Sequence, residues 1–221
     1  MYEPILSRRL LAEIFDLNRG FLQLVRQGAG PDGRGGTNWG LEPALLTRIG
    51  RFPSRAVDDL CGCPFLLFGL RFDDLEFWSH VRESRACYRY GAPADSGVAI
   101  EHDRHAFTLL ALFYAWHLAS TNPAAARLCC GLPPAAARIY RSLPMSELLR
   151  VAVQAPALLH AQFEDKPKFW AELLEIIENG DRRRLGAARV AGTHLIGTRC
   201  ATRAGRIRGI VMNHRRSRGP A

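Results

Sequence analysis

The chain alternates apolar stripes at three- and four-residue steps with short breaks made by Gly and Pro. Leu6, Leu10, Ile14, Leu17, Phe21 and Leu24 lie on one face of a helix over roughly 5–26. A glycine-rich stretch, 28–36, then requires a loop. A short helix follows over about 41–50. Pro53-Ser54 resets the chain before another helix that runs to about Cys63. Pro64 opens the run Phe65-Leu66-Leu67-Phe68-Gly69-Leu70, whose unbroken apolarity fits either a buried short helix or an extended piece.

Residues 83–103 are polar and carry Gly and Pro, which marks a linker. Beyond it Phe107, Leu110, Ala111, Tyr114 and Leu118 predict an apolar helix over about 104–120. Asn122-Pro123 starts the next helix, with Pro at its favoured first position. Gly131 suits a left-handed end to that helix. Pro133-Pro134 starts another helix, Pro144 breaks the chain, and helices are expected over 145–153, 167–178 and 181–196. From Thr198 onward Arg, Gly and small residues dominate, so residues 198–221 read as a disordered basic tail. No strand-like alternation persists, and the expected fold class is all-α.

The pattern also repeats. Gly40-Leu41-Glu42-Pro43-Ala44 returns 91 positions later as Gly131-Leu132-Pro133-Pro134-Ala135. Pro53 meets Pro144, Leu67 meets Leu158, Phe72 meets Phe163 and Asp74 meets Asp165. One inserted residue later, Phe77-Trp78 meets Phe169-Trp170. Leu and Ala coincide easily, whereas Gly, Pro and aromatics in order fix backbone and core geometry. Two modules are expected, 1–82 and 104–197, with Phe72, Trp78, Phe163 and Trp170 as equivalents.

Charge changes the picture at one end. Residues 181–221 hold eleven arginines and one acid, Asp181, while residues 1–180 hold nineteen basic and twenty acidic side chains. The net +9 of the 221-residue chain therefore lies in its C-terminal arm, a footprint of phosphate contact. A solvated terminus is the plainer reading. Six cysteines lack paired C-x₂-C spacing; Cys61, Cys63, Cys129 and Cys130 fall in apolar helical context and read as core thiols. Neither a metal nor a cofactor is expected. No apolar run reaches the roughly 18 residues that span a bilayer, and Arg8-Arg9 precede an amphipathic stretch unlike a signal peptide, so a cytosolic protein is expected. A phosphate-cradling loop with Lys, the nucleophile motif G-x-S-x-G and the zinc motif H-E-x-x-H are absent, so no enzymatic role is expected.

Residues 123–141 have the outline of a helix-turn-helix. Only Arg138 and Arg141 on its second helix could reach a base or a phosphate. A packing role for that helix is the alternative.

Several motifs in order carry a resemblance to a family: His117-Leu118, Asn122-Pro123-Ala124-Ala125-Ala126-Arg127, Gly131-Leu132, Ser142-Leu143-Pro144-Met145, Glu147-Leu148-Leu149-Arg150, His160-Ala161-Gln162-Phe163-Glu164 and Gly192-Thr193-His194-Leu195. Segment 106–199 resembles FlhD, the D subunit of the bacterial flagellar transcriptional master regulator. Leu10–Asn18 looks like that family's opening helix, and residues 40–74 look like its middle. The resemblance implies an all-helical, oligomerising activator subunit that acts on double-stranded DNA beside an FlhC-like regulator subunit, with RNA polymerase as a further possible partner. The chain departs from the family in being about twice its usual length, in Leu159 standing where the family can place a dimer-linking cysteine, and in the basic arm. The first departure implies a fused pseudo-dimer. Phosphate contact is expected from Arg182, Arg183, Arg184, Arg199, Arg203, Arg206 and Arg208, with Arg138 and Arg141 added from the helix-turn-helix. An interaction adaptor with no DNA contact of its own, or an RNA- or ribosome-associated basic protein, are the alternatives. The latter lacks stacking aromatics, since residues 181–221 contain none.

Overall fold

A computed structural model describes residues 5–28, 39–83 and 98–216, with side chains described except at 98–101, 156 and 201–216. Helix α1 (Arg8–Gly28) forms along the first apolar stripe and buries Leu10, Ile14, Leu17, Phe21 and Leu24. Asn18 shares that buried face because its amide is fully used. Nδ2 donates to the carbonyls of Cys61 at 3.2 Å and Phe65 at 2.9 Å, and Oδ1 accepts from the Leu67 N–H at 2.8 Å. One polar side chain thereby ties α1 to the segment that follows α2 (Pro43–Gly50) and α3 (Ser54–Cys61).

The ambiguous run Phe65–Leu70 is extended, with β1 at Phe68–Gly69. All six of its residues are buried, so both faces need apolar side chains and no alternation is written into it. It pairs antiparallel with β2 (His160–Ala161), an exception to the all-α expectation in an otherwise helical chain. Helix α4 (Leu75–Arg82) follows, its first turn capped by Asp74, which accepts from the Phe77 N–H.

Helix α5 (Val98–Thr121) begins six residues before the helix start expected at about 104; residues 84–97 lie outside the described residues. Then come α6 (Pro123–Cys130), α7 (Pro134–Arg141), α8 (Met145–Gln154) and α9 (Pro167–Glu178). Helix α10 runs without interruption from Arg182 to Arg216. The disordered tail expected from Thr198 is thus corrected to helix up to Arg216. Arg and Ala are strong helix formers, and burial of Ile196 and Cys200 anchors the helix just where glycine content rises. Residues 217–221 lie outside the described residues.

One contiguous core joins residues of both expected modules. Helix α1 packs on α2, α3 and α5, while α5 packs on α6, α7 and α8. Helix α4 crosses to lie on α7 and α8, and α9 crosses to lie on α2 and α3. Correspondences at the 91-residue offset recur in the geometry. Gly40 and Gly131 both take left-handed φ, 78° and 67°. Trp78 Nε1 donates to the Arg71 carbonyl at 3.0 Å, and Trp170 Nε1 donates to the Gln162 carbonyl at 2.6 Å. Between β1 and β2, Gly69 faces His160, so the ladder pairs two positions that stand at the same 91-residue offset as the sequence matches.

Other matches are looser. Phe72 stacks on Trp78 with centroids 5.7 Å apart, whereas Phe163 lies at φ 60° and meets Phe65 and Phe169 instead. Arg19 pairs with Asp58 between α1 and α3, and the residues 91 positions on are Leu110 and Leu149, both exposed. Among the described residues no helix is long and apolar enough to cross a membrane.

Candidate nucleic-acid interface

The helix-turn-helix outline is present as α6, a turn at Gly131 and α7. Asn122 Oδ1 accepts from the Ala125 N–H at 3.0 Å and caps α6. Gly131 ends α6 in the left-handed conformation, and the following N–H, that of Leu132, returns to the Ala126 carbonyl at 3.3 Å. Helix α7 commits its inner face to the core: Ala136, Ala137 and Tyr140 are buried. The Tyr140 hydroxyl donates to the Leu112 carbonyl at 2.8 Å, and its ring meets Phe72 and Trp78 edge-on. Arg138 and Arg141 remain exposed on α7, one turn apart.

The other expected arginines share α10. Asp181 Oδ1 accepts from the Arg184 N–H at 2.9 Å and starts the helix. Arg182, Arg183 and Arg184 are exposed in its first turn. Three cations at the positive end of a helix dipole oppose the helix by a few tenths of a kcal/mol each, so they do not serve its stability. Arg199 is half-buried, ion-paired with Asp165, and its guanidinium lies 5.0 Å from the Phe163 ring centroid. Those contacts dock α10 on the turn after β2. Arg203, Arg206 and Arg208 lie on the helical backbone beyond, and their side chains are outside the described residues. From Arg182 to Arg216 the helix carries ten arginines and no acid. Helix α7 touches α10, so the two arginine sets stand on adjoining elements.

Sequence reasoning missed a polar cavity of about 160 Å³ beside the β1–β2 ladder, lined by Arg71, His160, Gln162 and Glu164. Arg71 takes φ 51°, which no residue type signals, and pairs with Glu164. His160 Nδ1 lies 3.0 Å from the Leu158 carbonyl. Burial and then the Arg71 guanidinium hold the His160 pKa below the ordinary histidine value. The repeat offset, which brings His160 opposite Gly69, was the available signal.

Among the described residues Cys61, Cys63, Cys129, Cys130 and Cys200 are buried thiols outside any disulfide. Burial pushes the Cys61 thiol up to about 11, and those of Cys63 and Cys129 up to about 12, which makes all three poor thiolates. Among the described residues no group of three His, Cys, Asp or Glu is placed to hold a metal ion. No protein-family model, curated protein or solved structure matches this chain.

Proposed function

We propose that this chain is an FlhD-like transcriptional regulator subunit in which two modules are fused as a pseudo-dimer, and that it acts on double-stranded DNA together with an FlhC-like partner. The observation that carries the DNA reading is α10, a helix with ten arginines and no acid on an otherwise near-neutral body. A basic helix suits a duplex groove, where each neutralised phosphate releases counterions. The fused-pair reading is supported by the matched indole hydrogen bonds and by a ladder that pairs Gly69 with its counterpart.

The test is duplex binding by fluorescence anisotropy across salt concentrations, for the full chain and for R203A/R206A/R208A. The variant is expected to bind about tenfold or more weakly, with a log–log salt slope shallower by up to about 3, near 0.9 per lost phosphate contact. Unchanged affinity and slope would remove these residues from the interface. R138A/R141A reports on α7 separately. An interaction adaptor is the second reading, favoured by the burial of Ala136, Ala137 and Tyr140, which leaves α7 few groups with which to read bases. It predicts no duplex affinity in any of these proteins.

A further inference from the structure

Two apolar troughs run along opposite flanks of the middle of α10. One, about 1160 Å³, lies against α1 and α6 and is floored by Leu11, Phe15 and Leu128. The other, about 1060 Å³, lies against α9 and is floored by Phe169 and Leu195. Val190 and His194 line both and form the crest between them; Val190 is 70% exposed. A single exposed valine is ordinary, but one standing between two apolar troughs belongs to a continuous apolar surface.

Size decides the kind of occupant. Small-molecule sites hold roughly 300–1,000 Å³ and enclose most of their ligand. Each trough exceeds that range and opens to solvent, whereas a helix about 10 Å across fits such a furrow. Charge decides its chemistry. Arg127, Arg189 and His194 line the first trough, and Lys166 and Lys168 line the second. Of the two acids lining the second, Asp165 is already paired with Arg199, which leaves Glu172. A second copy of α10 is a poor occupant because it brings ten more arginines and no acid.

We propose that this face docks an amphipathic helix of a partner protein, its apolar stripe seated in a trough beside Val190 and its flanks acidic. None of the arginines assigned to phosphate contact lines either trough, so the proposal stands whether or not those arginines contact a duplex.

The test is a displayed library of 16-residue helices with a fixed leucine stripe and flanks randomised among Glu, Lys, Gln and Ser. It is selected on the full chain without nucleic acid. Selected peptides are expected to carry Glu-rich flanks and to bind V190E and R127E about tenfold or more weakly than the unaltered chain. Both positions avoid the fully buried core, and circular-dichroism melts confirm that both variants fold. L149E, on α8, should bind as the unaltered chain does. Neutral or basic flanks among the winners, or equal binding to V190E, would overturn the proposal. So would sedimentation showing that the chain dimerises through this face and that V190E makes it monomeric.

Discussion

His160 stands where two segments 91 positions apart meet, with its ring against Gly69 and its Nδ1 on the Leu158 carbonyl. Arg71, Glu164 and Asp73 are the charged groups that act on it; burial and Arg71 lower its pKa, while the two acids oppose them. The sign follows from linkage. A histidine with a depressed folded pKa binds fewer protons folded than unfolded, so its stabilising share is full above the unfolded value near 6.5. That share falls as pH drops through 6.5 toward the folded pKa, at no more than about 1.4 kcal/mol per pH unit for one proton. Urea melts at pH 7.5 and 5.5 should show the unaltered chain losing more stability than H160Q does, and equal losses would contradict this. Little at this scale was legible in advance. Proline and glycine positions were, because each restricts or frees the backbone itself; Arg71 and Phe163, at positive φ, carry no such mark.

Among the elements, α10 shows how close approach limits a helix face. A Cβ at Gly192 would lie 2.4 Å from the Phe65 ring, and Phe65 is buried and wedged against Phe163 and Phe169. G192V should therefore destabilise by about 1–3 kcal/mol, the range for overpacking a filled site. Gly186, on the same helix, is exposed and would meet nothing within 4 Å. G186A should stabilise by about 0.5–1 kcal/mol by restricting the unfolded chain. Shifts of opposite sign in denaturant midpoint would verify both. Helices with a one-sided stripe, such as α1, were readable from spacing alone. The run Phe65–Leu70 was not, since a segment buried on both faces carries no period. The length of α10 escaped because its glycines argued for a break while its docking through Ile196 and Cys200 is a tertiary fact.

At the scale of the molecule, the crossing of α4 onto α7 and α8, and of α9 onto α2 and α3, makes each half complete the other's core. Local patterns report which residues are apolar but not which distant surface they meet, so the sequence reading of two tandem modules did not extend to this interlock. Residues 1–83 and 98–221 expressed apart should each give poor helical signal, and mixing them should restore it. The intact chain should unfold in one transition, with tryptophan fluorescence and circular dichroism coincident. Two resolved transitions, or an independently folded 1–83, would contradict the interlock.

A position that meets its own counterpart across an antiparallel ladder would, in a pair of identical chains, have to carry one residue type on both sides. Here one side is Gly69 and the other His160, and a Cβ on the glycine would come within 2.7 Å of the imidazole. Two histidines would collide there and two glycines would leave a void. On the fused-pair reading proposed above, each half is therefore shaped to reject a duplicate of itself and to accept the other half. On that reading the complementarity works as a ratchet: with the two sides diverged, neither half can return to pairing with itself, and exchange between chains at this ladder is limited to one first half with one second half.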